Sequence, residues 1–495
     1  MLVRRGMGLR SLGGAALLVA MLASACAAGG DDDPSLGADL TAADPAAGWH
    51  FLANGGYIGT GIPANVFYTL QTGLDVPVLG FVGKGVIEGI FPSLDGAAVR
   101  TTEVPDRDGP NANLTYRFTS FKTSRGNDVI NFTCLTCHTG VIDGKAIIGL
   151  GDTLSDYTGD LGFAARTLAN VTRFIGTDAD VTEANIFAQR FEAIAPYVRT
   201  TTVGANPAVN LTYALMAHRD PKTLAWSDAP LMELPPETSL PYDVPAWWHM
   251  KKRSTAFVSG EIKFHQGTLM LASLLGTESA AELHAYDRDF QNVQAYIKTL
   301  EPPAYPLAVD HALATEGSTV YARSCASCHG TYGEGARYPE TVFPLGQIGT
   351  DPRSAEEQVL RSTRFYDWID ASPYSHAPGG KTQVTPTMVG YLAPPLDGVW
   401  ATAPYLHNGS IPTLEGVLDS TKRPVAWSRI GQFGKYDTAN MGVKFIPAPG
   451  KNISGFLAKY VYDTRDPGYS NAGHTFGDAL SAADRTALLE YLKTL

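Results

Sequence analysis

Two short stretches carry residues that do chemistry. Asn131–Gly140 reads NFTCLTCHTG, and Arg323–Gly330 reads RSCASCHG. In each, two cysteines stand three apart and a histidine follows the second. Three chemistries use such a group. Two thiols at this spacing can add to the vinyl groups of a haem while the histidine turns under the ring to bind iron, the C-x-x-C-H pattern of c-type attachment. A closed zinc site needs four ligands, so each group would have to recruit a fourth or converge with the other. A redox dithiol uses the cysteines but leaves both histidines without a role. The chain has five cysteines, Cys26, Cys134, Cys137, Cys325 and Cys328. Apart from Cys26 all of them belong to the two motifs, so none remains for a disulfide framework. Repetition without spare cysteines points to two covalently bound c-type haems. Cys134, Cys137, Cys325 and Cys328 would form the thioether links, and His138 and His329 would be the proximal iron ligands.

The elements that must position these groups can be read around them. The histidines lie 191 positions apart, from 138 to 329, too far for one small cytochrome domain, and 495 residues suit two domains. Phe290, Val293, Ile297 and Leu300 recur at helical spacing, as do Leu488, Tyr491, Leu492 and Leu495. Ser481 and Asp484 precede the second run as a capping box would. The prolines of EPPAYP after the first run stop a helix. This spacing predicts a first haem domain over 46–300, a linker over 301–310 and a second haem domain over 311–495, each closed by a C-terminal helix.

The amino terminus reads as an address. Arg4, Arg5 and Arg10 precede the apolar run Leu12–Leu22, which is too short to span a bilayer, and small residues lead to Cys26. This resembles a bacterial lipoprotein signal over residues 1–25, with Cys26 lipidated; the alternative is secretory cleavage that removes Cys26. Residues 26–45 are small and polar, as a flexible tether is. The expected location is periplasmic or at the cell surface, with membrane contact only through the lipid. A net charge of −11 offers no basic footprint for nucleic acid.

The stretch LAPPLDGVWATAPYLHNGSIPTLEGVL (392–418) resembles the signature of bacterial dihaem cytochromes of the dihaem peroxidase superfamily. DVPAWWHMKKRSTAF (243–257) and YPETVFPLGQIGTDPR (338–353) are similar to its rubber-oxygenase-like branch, although this chain is shorter than those enzymes. The resemblance implies a mainly α fold of two cytochrome c-like domains with long loops and few strands. It implies a reactive N-terminal haem and an electron-relaying C-terminal one. It puts an axial ligand just before the closing helix, where His474 stands in NAGHTFGDAL; Met388, His407 and Met441 compete for that role. It also places Trp247 or Trp248 near or between the haems, and Phe257, Phe264 or His265 over the distal face of the first. His265 would then serve as iron ligand or as acid/base for peroxide cleavage. The alternative for this aromatic cluster is ordinary core. Lys251, Lys252 and Arg253 are either a solvated face or cations for the haem propionates.

Two functions follow. In one, the first haem activates peroxide or oxygen, the second transfers electrons, and a small redox partner or electron donor supplies them. In the other, the chain is a dihaem electron carrier without chemistry of its own.

Overall fold

The computed structural model describes residues 42–72, 104–376, 388–429, 435–451 and 455–495. Cys26, the signal and most of the tether lie outside the described residues. The described chain is mainly α, with short antiparallel strands in two- and three-stranded sheets.

Two helix pairs frame it. Pro45–Asn54 packs on Asp287–Thr299, and His311–Ser324 packs on Ala482–Leu492. Each crossing is close because a glycine meets a backbone carbonyl. A Cβ at Gly48 would sit 2.1 Å from the Asn292 oxygen, and one at Gly317 would sit 2.0 Å from the Ala487 oxygen. Only a hydrogen fits at either position. The two closing helices lie where the periodicity predicts them. Phe290, Val293 and Ile297 of the first are buried, as are Leu488 and Leu492 of the second. The Ser481 side chain accepts the Asp484 N–H at 3.0 Å, the expected cap. Beyond Thr299 no helix forms until His311, because prolines lack the N–H that would continue one.

Packing does not follow the division at residues 301–310. Helix Arg353–Ala371 comes after that linker, yet its Phe365, Tyr366, Trp368 and Ile369 are buried in the same core as Trp49, Phe187 and Trp247. Their one-, three- and four-residue spacing puts them on one face of the helix, which must cover an apolar surface. In exchange, Ile142, Leu150, Ala246 and Trp248 are buried in the second core with Tyr321, Trp400 and Leu488. The two cores therefore interlock.

Strands deliver the first motif. Phe118–Lys122 pairs with Asp128–Phe132, with Thr119 opposite Asn131, and Ile62–Pro63 adds to the other edge of that second strand. The chain leaves this sheet straight into Cys134. A hairpin of Thr139–Ile142 and Lys145–Ile148 follows His138.

Candidate functional site

The second motif is presented by a helix end. His311–Ser324 runs into Cys325, whose N–H still donates to the Tyr321 oxygen at 2.8 Å. A single turn, Ala326–His329, then brings His329 round, and Gly330 stops it at φ +84°. The His329 Nδ1 lies 2.7 Å from the Pro394 oxygen. A carbonyl only accepts, so the ring proton is on Nδ1 and the Nε2 lone pair is free for a metal.

A second imidazole stands opposite. The rings of His329 and His474 have centroids 6.2 Å apart, at 62° to one another. Two imidazoles bound to one iron from opposite sides, at about 2 Å each, have ring centroids roughly 6 Å apart. Burial keeps both rings neutral; His329 is held below its ordinary value, and His474 is pushed down to about 4. Neutral rings are what metal ligation needs. Around them lies a cavity of about 370 Å³, walled by Cys325, Cys328 and apolar groups such as Leu396, Leu414, Leu418 and Leu488. Such walls suit a flat apolar cofactor.

The loop that carries His474 is strained and stapled. His474 has φ +44° and follows Gly473 at +75°. Its N–H donates to the Ile348 oxygen at 2.7 Å. Arg423 donates to the oxygens of Asn471 at 2.8 Å, Gly473 at 2.6 Å and His474 at 3.1 Å. Of the competing ligands, His407 lines the cavity but lies flat on Tyr391, with ring centroids 4.0 Å apart. Met388 is exposed, and Met441 is buried among Trp400, Tyr405 and Tyr436. Neither methionine is among the residues lining the cavity.

The first motif is held differently. Thr133 and Thr136 cap the turn reciprocally. The Cys134 N–H donates to the Tyr57 hydroxyl at 2.9 Å, and the Tyr157 hydroxyl lies 3.8 Å from the Cys137 sulfur. The His138 ring stacks on Trp247 at 4.4 Å and 19°. Its Nδ1 is buried without a partner, and burial pushes its pKa down to about 3. No second imidazole is among its described ring contacts.

The thiols themselves speak against a redox dithiol. Burial pushes Cys134 and Cys325 up to about 11 and raises Cys137. Thiols that stay protonated are poor nucleophiles. Among the described residues, no three His, Cys, Asp or Glu side chains gather as a free metal ion would need, which is what the zinc alternative requires.

The two tryptophans have different partners. They are adjacent on the turn Trp247–Lys251 and face opposite cores. Trp247 covers His138, while the Trp248 indole N–H donates to the Asp397 oxygen at 2.8 Å. The His249 Nε2 donates to that same oxygen at 3.0 Å. Asp397 is three residues from Pro394, which holds His329. One short loop thus touches both neighbourhoods.

Phe264 and His265 are buried, and neither is among the ring contacts described for His138. Phe264 sits in the first core, its oxygen accepting from Gln294 at 3.0 Å. The His265 Nδ1 accepts the Gly267 N–H at 2.8 Å, which puts its proton on Nε2. Burial and Lys263 push His265 down to about 4. This tautomer offers a hydrogen-bond donor rather than a lone pair for iron. Phe257 is half-buried at φ +63°. Arg423, Pro394 and Asp397 were not singled out in the sequence as candidates. The nearest signal is that Pro394 and Asp397 fall inside the 392–418 signature.

Residues 390–428 match a protein family described as RoxA-like, cytochrome c-like. That segment contains Pro394, Asp397, His407 and Arg423. The chain is 31% identical to the uncharacterized protein y4iM of Sinorhizobium fredii, over 53% of this chain and 66% of that protein. It is 32% identical to the uncharacterized protein y4iJ of the same organism, over 40% of this chain and 41% of that one. The chain thus spans less than two thirds of either relative. The matched segment fits a haem-containing redox protein, since a cytochrome c-like domain implies a c-type haem.

Proposed function

We propose that this chain is an exported, lipid-anchored dihaem c-type cytochrome acting as an oxidoreductase, in which the two CxxCH groups do different work. The observation that carries this reading is their inequality. His329 has a carbonyl on Nδ1 and a second imidazole 6.2 Å away, whereas His138 has an indole beside it and no partner on Nδ1. A c-type haem supplies an iron that exchanges one electron and, with a coordination position free, reacts with peroxide or oxygen.

In this reading Cys325, Cys328, His329 and His474 hold an electron-transferring haem, and Arg423 keeps the His474 loop in place. Cys134, Cys137 and His138 hold the reactive one. Trp247 and Trp248 form the packed contact between them, as their positions on the two cores favour. His265 carries a proton on Nε2 that nothing else in the described chain accepts, which suits a donor to a reduced oxidant. Phe264 keeps water out of the same buried region. A small redox partner or electron donor completes the cycle.

The test is an optical and EPR spectrum of the purified protein, followed by titration with hydrogen peroxide and with oxygen. One high-spin and one low-spin haem, with the high-spin one responding, is the expected result. Two low-spin haems that stay inert after partial reduction would leave an electron carrier instead.

A further inference from the structure

The cavity beside the second motif is walled mostly by apolar groups, but one cation faces it. Among its lining residues Arg253 alone carries a full positive charge. The side chain is buried, with 5% of the residue exposed. Its Nη2 donates to the Phe257 oxygen at 2.6 Å, and its Nε has no partner. None of the described ion pairs includes it. The nearby Glu340 carboxylate is occupied by four hydrogen bonds, from the backbone N–H and hydroxyl of Ser254 and of Thr255, each 2.8 Å. Asp243 is the only carboxylate in the cavity lining; Arg429 acts on it, and burial raises it well above the carboxylate range. The two neighbouring lysines are committed elsewhere. Lys251 pairs with Glu301, and Lys252 reaches both carboxylate oxygens of Asp397 at 2.8 and 2.9 Å.

A buried guanidinium in no ion pair and with an unpartnered Nε is costly, and a negative group that enters the same space relieves that cost. We infer that Arg253 is the counter-charge for the propionate carboxylates of the haem held between His329 and His474, and that it thereby tunes the reduction potential of that iron. The inference rests on the proposed function. Of the three cations in the KKR run, it selects one and leaves the other two to surface pairs. The planar fork of arginine matches a carboxylate with two parallel hydrogen bonds, which a lysine cannot reproduce. Losing the charge leaves the propionates uncompensated in a medium of low dielectric constant, and their field then favours ferric over ferrous iron.

The experiment is spectroelectrochemical titration of the low-spin haem in the holoprotein, comparing wild type with R253Q, R253K and K251Q. Haem is counted first, by alkaline pyridine. A wild type with no low-spin haem would sink the proposed function itself, before any variant is needed. With that haem present, R253Q is expected to shift the ferrous/ferric ratio at fixed potential about tenfold toward ferric. For a one-electron couple this is a midpoint lower by roughly 60 mV. R253K should lie between R253Q and wild type, and K251Q should match wild type. A loaded R253Q with an unchanged midpoint overturns the inference. Should R253Q not retain haem, R253K decides. A loaded Lys variant with a midpoint below wild type by less than roughly 60 mV supports the charge role, and a loaded one with an unchanged midpoint, or an empty one, overturns it.

Discussion

The two CxxCH groups share five residues of pattern and almost nothing of their surroundings. The second sits at a helix end, with its histidine proton tied to Pro394 and another imidazole across a cavity. The first sits at a strand end, with its histidine flat against an indole and its Nδ1 unpaired. A hydrogen-bonded Nδ1 makes the opposite nitrogen a stronger and better-aimed ligand. The lesson is that the motif alone does not distinguish the two sites, while the partners of each histidine do.

The comparison breaks most completely if one motif is removed. Changing Cys325 and Cys328 to serine is expected to halve the haem per chain and abolish the low-spin signal, as pyridine haemochrome and EPR would read. Loss of the high-spin signal instead would reverse the assignment. Next in size is H474A, which removes the second imidazole and should convert the low-spin haem to a high-spin one that binds carbon monoxide when reduced. A spectrum that stays low-spin would point to His407 or another ligand.

Smaller effects sharpen the contrast. R423Q loses the charge-assisted bonds to the loop that carries His474, at a cost of about 1.5–3 kcal/mol. A mixed-spin second haem should accompany that cost, and the first haem should stay as it is. The glycine crossings offer a matched pair. G48A and G317A each push a methyl group into a carbonyl, an overpacking worth about 1–3 kcal/mol. Urea unfolding should show both losses, but only G317A should disturb the low-spin band.

At neutral pH the smallest effect is that of a buried histidine, which shows only on acidification. Burial pushes His407 down to about 3, so the folded chain keeps it neutral while an unfolded chain binds a proton below about pH 6.5. Stability therefore falls as pH drops from about 6.5 toward 3, and is unaffected by this group above that window. H407F should remove up to one proton from the slope, at most about 1.4 kcal/mol per pH unit, measured by urea unfolding at several pH values.

What was legible in the sequence was local. The two motifs, the closing helices and the cap at Ser481 depend on neighbours within a few positions, where spacing is informative. The resemblance added His474 and the tryptophan pair; the His474 ring lies near that of His329, and Trp247 stacks on His138. What was not legible was contact at long range. Pro394 meets His329 across 65 positions, and Arg423 meets His474 across 51. Neither pairing leaves a trace in composition or period. The interlocked cores were hidden for the same reason, since the apolar face of Arg353–Ala371 says that it must be covered but not by which half.

That interlocking governs the order of assembly. A chain that emerges amino terminus first cannot finish its first core until Phe365–Ile369 has appeared, well after Cys328 is out. Both cysteine pairs are therefore available together on an unfinished chain, before either hydrophobic nucleus can bury them. If both motifs are loaded as proposed, attachment would have one shared interval in which to reach four thiols. Shortening that interval, by any change that speeds the collapse of one half alone, would bury that half's own cysteines first and leave the other pair exposed.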